Sequence, residues 1–270
     1  MQCSLRTAAW VAAFALLAAV CHVDGSSASA WQTGTPTAVP VLVELFTAEG
    51  CSSCPPADVL LEKMIAAQPA NGAEIVALGE HVDYWNQSGW KDRFSSAAFT
   101  KRQQLYASRS GNDDVYTPQM VVDGGEGFVG TDVGAARQAI EHAITAPHGT
   151  IRLSLDPSSH DAKKIAVSLD VAGLPAIDSG DPTDIIVAVT EGGLRTEVKR
   201  GENQGRTLTH AAVVRDMQSV GAAAPGRLAR ASFTIGDDWR KENLKIVGFV
   251  QRRHSRRVIA TASIPFEVRR

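Results

Sequence analysis

Two cysteines separated by two serines are the side chains of this sequence best suited to chemistry. The chain has four cysteines, and two of them, Cys3 and Cys21, lie in an N-terminal stretch with the features of a secretory leader. Without that stretch, Cys51 and Cys54 have only each other to pair with. A Cys-x-x-Cys pair between a buried strand and a helix, in an exported protein, is typical of thiol–disulfide chemistry.

The N-terminal residues predict a signal peptide over residues 1–30. Arg6 is the only charge before an apolar run at residues 8–20, which is too short to span a bilayer as a helix. An Ala-Ser-Ala site at residues 28–30 places cleavage before Trp31. A lipoprotein signal at Cys21 is the alternative, and Val20 disfavours it because a small residue is preferred before a lipidated cysteine.

Export predicts a periplasmic or secreted protein, in a compartment where disulfides persist. The formal net charge is −2, and removal of the leader takes one basic and one acidic residue and leaves it unchanged. That charge gives no field that would attract nucleic acid. No later stretch is apolar enough to cross a membrane, so we expect no membrane span after signal cleavage.

The residues around the cysteines predict a β-α-β unit. Residues 39–46 form a nearly unbroken apolar run, as expected of a parallel strand that is covered on both faces. Residues 57–67 have apolar side chains at helical spacing, and residues 74–82 form a second strand.

Further elements follow this unit. A helix capped by Ser95 or Ser96 reads as a helical insertion, and Thr117-Pro118 precedes a short strand and a tight turn into a second one. Asp132 caps a last helix, which Pro147 and Gly149 end.

From Thr150 onward, short alternating segments recur with turn residues between them, which predicts antiparallel strands. Residues 211–220 could also form a helix, and we assign them to a strand. The sequence therefore predicts an α/β domain over residues 31–147 and an antiparallel β-sandwich domain over residues 148–270.

Several sequence blocks resemble one family. They are VELFTAEGCSSCPPAD, HVDYWNQSGWKD, YTPQMVVDG and, later, GENQGRTLTHAAVVR. In these blocks the chain is similar to a bacterial secreted thioredoxin-like family catalogued as domain of unknown function twelve-twenty-three. The resemblance runs from Val39 to the C-terminus. It implies a thioredoxin-like fold followed by a β subdomain, and it implies no established substrate.

In a thioredoxin-like fold, Cys51 would be the nucleophile and Cys54 would resolve the mixed disulfide. Ser52 and Ser53 stand where such pairs commonly have Gly or Pro. Because Cys54 and Pro55 both precede prolines, local preferences start the helix at the second proline and leave both cysteines in the loop. A structural disulfide is the alternative, although so small a loop restrains the unfolded chain little.

Three further residues are candidates for supporting roles. The resemblance places Pro118 as a cis-proline opposite the cysteines, with the backbone of Thr117 pairing with a substrate strand. Glu44 is a carboxylate inside the first apolar strand, and it either relays a proton to Cys54 or forms a salt bridge with a lysine or arginine.

His81 ends the second strand, where it is a possible third ligand beside Cys51 and Cys54 if the pair binds copper or zinc. A lone histidine is more often structural, and no further histidine or cysteine completes a tetrahedral zinc site. We therefore favour no metal. The later histidines and the charged turn at residues 251–257 are typical of a solvated surface.

These observations favour a thiol–disulfide oxidoreductase that acts on exported proteins through Cys51 and Cys54 and exchanges electrons with a redox partner. We expect it to need no cofactor. Two alternatives remain: a copper- or zinc-handling protein that uses the pair and His81, and a non-catalytic binding module with a structural disulfide.

Overall fold

A parallel pair of buried strands lies at the centre of the fold. Strand β1 (Val39–Thr47) and strand β2 (Ala73–His81) pair along their whole length, and helix α1 (Pro55–Ala66) connects them. The apolar run of β1 is buried from Val41 onward because helices cover both faces of the pair. The predicted β-α-β unit is thus confirmed.

The computed structural model describes residues 38–68, 72–111, 114–156, 163–223 and 228–267. The predicted signal peptide, its cleavage site and the alternative lipid attachment at Cys21 lie outside these residues.

The elements that complete the first half follow the sequence closely. They are α2 (Ala97–Arg109), β3 (Gln119–Val122), β4 (Phe128–Val129) and α3 (Val133–Ala143). Both predicted N-caps are present, because the Ser96 side chain accepts a hydrogen bond from the Ala98 amide and Asp132 accepts one from the Ala135 amide. Strand β3 pairs antiparallel with β1, and β4 pairs with β3.

In the described residues of the second half, turns and a short 3-10 segment join a series of strands. The strands are β5 (Thr150–Leu155), β6 (Lys164–Ala172), β7 (Thr183–Glu191), β8 (Leu194–Glu197), β9 (Thr207–His210), β10 (Val213–Ala222), β11 (Ala229–Thr234), β12 (Leu244–Arg252) and β13 (Val258–Pro265). The ambiguous residues 211–220 lie mostly in β10, so the strand assignment is confirmed, although a break at Ala211 and Ala212 separates β9 from β10.

Strands from both halves form one mixed sheet. Its order is β13-β12-β7-β10-β2-β1-β3-β4, and β10 joins the central pair by parallel pairing of Val213 with Gly79. Residues Pro36–Arg270 form one compact unit. Of the strands expected to build a separate sandwich, β7, β10, β12 and β13 therefore continue the sheet of the first half beyond Pro147. The molecule is a mixed α/β protein with one large sheet and smaller ones.

The faces of the large sheet are covered in different ways. A three-stranded sheet, β11-β6-β5, packs its apolar residues against β7 and β12, as Leu169, Val187 and Ile246 illustrate. Around the central pair, α1 and α3 cover one face, and Phe99 of α2 packs with residues of the other. The carboxyl ends of β1 and β2 thus lie between these layers, and the two cysteines follow β1 at this end.

The junction between β2 and β10 depends on the absence of a side chain at Gly79. A Cβ there would lie 2.9 Å from the Ala211 carbonyl oxygen, and the Gly79 amide donates a 2.7 Å hydrogen bond to Ala212. We expect Gly79→Ala to lower the free energy of unfolding by about 1–3 kcal/mol, measured by urea titration, because backbone must shift. Gly192→Ala is the control, since a Cβ there meets nothing within 4 Å. Equal stabilities of the two variants would contradict this view of the junction.

Candidate functional site

The two cysteines form a disulfide between the end of β1 and the start of α1. Their Cα atoms are 5.4 Å apart, and the bond joins Cys51 to Cys54. Helix α1 begins at Pro55, one residue earlier than local preferences place it, and Cys54 is its N-cap with helical backbone angles. Cys51 lies outside the helix, so the helix starts at the second cysteine rather than ahead of it.

Both cysteines are buried, with 0% of each exposed, although Ser52 and Ser53 between them are exposed. The Ser53 hydroxyl lies 3.4 Å from the Cys51 sulfur. Phe46 and Val82 pack around the disulfide. The candidate nucleophile is therefore closed to solvent in this conformation.

The residues between β1 and α1 (48–54, called the cysteine loop here) form hydrogen bonds with a segment of the second half. In the β8–β9 loop (residues 198–206), the Asn203 amide donates 2.9 Å hydrogen bonds to the carbonyl oxygens of both Glu49 and Cys51. Arg206 in turn donates to the Asn203 oxygen, and the Glu202 carboxylate accepts from the Ser52 amide. Asn203 is itself fully buried.

The sequence alone did not predict this contact. Asn203 and His210 both lie in the GENQGRTLTHAAVVR block, which indicates only the family resemblance. A second loop, between β2 and α2 (residues 82–96), also packs here. A Cβ at Gly50 would lie 3.2 Å from the Trp85 carbonyl oxygen.

A buried ion pair lies beside the cysteine loop. His81 Nδ1 and Asp92 Oδ2 are 2.6 Å apart, and both side chains are about 1% exposed. Burial lowers the pKa of His81, but Asp92 raises it by more, so that the net shift is upward. The pKa of Asp92 is lowered, because His81 and the amides of Glu49 and Phe94 outweigh its burial. Both pKa shifts favour the ionic form of the pair, with the proton on the imidazole.

A second histidine joins this pair. The rings of His81 and His210 are 4.9 Å apart, and His210 Nε2 lies 3.3 Å from Glu49 Oε1. These two atoms are close but not aligned for a hydrogen bond, so both are buried without a hydrogen-bond partner among the described residues. Trp90 donates to the other Glu49 oxygen at 2.7 Å. The expectation that the later histidines are solvated is wrong for His210, because β9 carries it into this cluster.

Asp58 contributes a further buried carboxyl one turn into α1. Burial raises its pKa to about 6, although His210, His81 and the Thr47 hydroxyl act in the opposite direction. Thr47 Oγ1 donates to Asp58 Oδ2 at 3.2 Å. The group therefore changes its protonation state near neutral pH.

Glu44 forms a salt bridge, which is one of its two predicted arrangements. Its carboxylate lies 2.6 Å from the Arg102 guanidinium of α2 and accepts a hydrogen bond from the Tyr106 hydroxyl. Glu80 lies 3.3 Å from the same guanidinium, and burial raises its pKa well above the usual range, with Glu44 adding to the rise and Arg102 opposing it. Because two buried acids share one arginine, the raised pKa favours the protonated form of Glu80.

Thr117 and Pro118 lie near this end of the sheet. Their peptide bond is cis, as predicted, and Pro118 is buried at the start of β3. Trp85 Nε1 donates a 2.7 Å hydrogen bond to Thr117 Oγ1. A Cβ added at Gly130 would lie within 3.2 Å of both Pro118 and Ala57, the third residue of α1. Pro118 is therefore positioned near the first turn of α1.

Across the described ranges, no group of three or more histidine, cysteine or acidic side chains is placed to hold a metal ion. Where those ranges contain helices, none is long and apolar enough to cross a membrane.

These features define a mixed α/β protein in which a buried Cys-x-x-Cys disulfide joins a central parallel strand to the N-terminus of a helix. The chain belongs to a family described as a protein of unknown function (DUF1223), which matches residues 42–251. The family named from the sequence blocks is thus confirmed. No curated protein matches the chain.

The solved structures similar to this chain include the following two. A protein of Agrobacterium tumefaciens shares 25% of its residues over 86% of this chain and 97% of its own, with a TM-score of 0.64. HBP35 of Porphyromonas gingivalis shares 16% over 85% of this chain and 76% of its own, with a TM-score of 0.58. The likeness to HBP35 shows a shared fold.

The raised pKa of Asp58 predicts a pH-dependent stability difference. Its folded pKa of about 6 exceeds its ordinary value of 3.8, so between these values the folded state keeps a proton that the unfolded state has lost. Stability is therefore lost as the pH rises through this window, by on the order of 3 kcal/mol. We expect Asp58→Asn to gain stability over the wild type by this amount between pH 4 and pH 7, measured by urea unfolding.

The control for this measurement is Asp237→Asn, at an exposed carboxyl. Its difference from the wild type should stay nearly constant over the same range. A constant difference for Asp58→Asn as well would show that this carboxyl is not shifted.

The Asn203 contacts predict that the β8–β9 loop limits access to the disulfide. Removing two hydrogen bonds of about 1 kcal/mol each should accelerate local opening about tenfold or more. We expect Asn203→Ala to be reduced by dithiothreitol at least tenfold faster than the wild type, followed by alkylation of the released thiols. Sub-denaturing urea should change this rate little, because local opening exposes little surface.

Gln204→Ala is the matched control, since Gln204 is exposed in the same loop. If it accelerates reduction as much as Asn203→Ala, or if neither variant does, the loop does not limit access through Asn203.

Proposed function

We propose that the protein is a thiol–disulfide oxidoreductase, with Cys51 as the nucleophile and Cys54 as the resolving cysteine. The observation that carries the proposal is the position of the disulfide, in a loop after a central parallel strand with Cys54 capping a helix N-terminus. The partial positive charge of a helix N-terminus favours a thiolate.

The proposed exchange between a client dithiol and the Cys51–Cys54 disulfide has two steps. A client thiolate attacks the Cys51 sulfur, the bond between the two cysteine sulfurs breaks, and Cys54 leaves as a thiolate that takes up a proton. The second client thiolate then attacks the client sulfur of the mixed disulfide and releases Cys51. The client is oxidised to a disulfide and the protein is reduced to a dithiol. The reverse sequence reduces a client disulfide, and a redox partner restores the starting state.

We further propose that the first half has a thioredoxin-like fold. The parallel β1–α1–β2 unit, the antiparallel β3–β4 pair and the closing helix α3 support this assignment. In this arrangement the backbone of Thr117 would align a substrate strand next to Cys51. The hydrogen bond from Trp85 fixes the Thr117 side chain, and this supports a defined geometry at that position.

The proposed setting is the periplasm or the exterior of the cell, with exported proteins as clients. A disulfide-bonded pair is compatible with an oxidising compartment outside the cytoplasm. The exchange itself requires only sulfur, protons and a redox partner, so the proposal includes no cofactor.

One observation favours a second candidate function. Both cysteines are 0% exposed, which is unusual for a nucleophile and ordinary for a structural disulfide. On this alternative the protein is a binding module in which the disulfide fixes the cysteine loop.

A trapping experiment separates the two candidates. We expect Cys54→Ser, expressed with a signal peptide, to accumulate mixed disulfides with exported proteins through Cys51, because the resolving thiol is missing. Cys51→Ser is the matched control and should trap far less. The adducts are measured by non-reducing electrophoresis and identified by mass spectrometry.

A structural disulfide predicts a different result. Neither variant would then form adducts, and the reduced wild-type protein would not reduce insulin. That combination would reject the oxidoreductase assignment.

A further inference from the structure

A cavity that is separate from the disulfide lies between α2 and the strands of the second half. Its volume is about 460 Å³, within the range of small-molecule sites. Its apolar lining includes Phe99 of α2, Val214 and Met217 of β10, and Trp239. Ser95 and Ser96, at the start of α2, complete one wall.

Positive charge dominates this cavity. Arg93, Lys101, Arg102, Arg215 and Arg256 line it, against a single lining carboxylate, Asp216. Two of these cations are compensated, because Arg102 pairs with Glu44 and Glu80, and Arg215 pairs with Glu191 and Asp238.

The other three cations lack such compensation. Within the described part of the chain, Arg93, Lys101 and Arg256 form no ion pair with a carboxylate. The cavity therefore carries an excess of positive charge beside an apolar lining.

Arg256 is the most unfavourably placed of the three. Its Nη2 donates to Gln251 Oε1 at 2.8 Å, and Arg102 donates to the same oxygen at 3.0 Å. Two guanidinium groups thus converge on one neutral acceptor. Arg256 Nε is also buried and has no hydrogen-bond partner among the described residues. Burial and the charge of Arg102 lower the pKa of Arg256, and Glu44 and Glu80, which pair with Arg102, offset this only in part.

The backbone holds Arg256 in this position. Its φ angle is 59°, in the left-handed region that side-chain-bearing residues rarely adopt. Strained backbone and an incompletely compensated charge together are features found at ligand sites, where a ligand provides the missing interaction.

We propose that this cavity binds a small organic anion, with an aromatic or aliphatic body against Phe99, Met217 and Trp239 and an acidic group between Arg256 and Lys101. A carboxylate, sulfonate or phosphate has the acceptor oxygens that guanidinium groups bind. The proposal does not depend on the redox assignment, because no residue of the cysteine loop lines the cavity.

The test compares two fluorescent probes with the same aromatic body. Anilinonaphthalene sulfonate carries an acidic group, and phenylnaphthylamine lacks it. We expect saturable binding of the sulfonate to the purified folded protein, at least tenfold tighter than that of the neutral probe. Lys101→Gln and Arg256→Gln should each weaken sulfonate binding about tenfold, and added salt should weaken it in the wild type.

The control is Arg137→Gln, in a separate apolar groove between α1 and α3. Because Lys101 is exposed, its replacement should leave the thermal unfolding midpoint unchanged, which keeps the test valid if Arg256→Gln fails to fold. Three results would overturn the proposal: equal affinity for both probes, no saturable sulfonate binding, or a loss of binding in Arg137→Gln but not in Lys101→Gln.

Discussion

Five carboxyl groups are buried near the carboxyl ends of β1 and β2, and the need to compensate them organises the molecule. Glu44, Glu49, Asp58, Glu80 and Asp92 are each at most 7% exposed. A buried carboxylate without partners is too costly to keep ionised. Helix α2 supplies an arginine, β2 and β9 supply histidines, and tryptophan and backbone N–H groups supply the remaining donors. These segments, which are distant in the sequence, therefore pack around one end of the sheet.

This arrangement explains why the second half of the chain belongs to the same structural unit as the first. Strand β10 joins β2 at Gly79, and the preceding strand thereby brings His210 against His81. The β8–β9 loop then reaches the cysteine loop, where Asn203 binds the Cys51 carbonyl oxygen. The contacts that stabilise the cysteine loop also close it. The proposed exchange with a protein client would therefore require local opening, whose free energy can be much smaller than that of global unfolding.

Local sequence rules predicted most helices and strands, because the formation of these elements depends on neighbouring residues. The apolar run of β1, the caps at Ser96 and Asp132 and the turn after β3 are present as the pattern indicates. The pairing of β10 with β2 is not local, since a strand pattern fixes which face is buried but not which neighbour it joins. His210 is an example, because it shares the buried face of β9 with Leu208, but the strand pattern does not indicate that this face meets His81. The roles of Asn203 and His210 depend on contacts across more than a hundred residues.

The central claim is that the Cys51–Cys54 pair exchanges electrons rather than only fixing a loop. The measurement that tests it most directly is the reduction potential of the pair, obtained by equilibration with glutathione or dithiothreitol buffers at pH 7 and quantification of the free thiols. A redox-active pair should have a potential between about −270 and −120 mV, the range of thiol–disulfide enzymes. A potential below about −300 mV, where structural disulfides lie, would contradict the account.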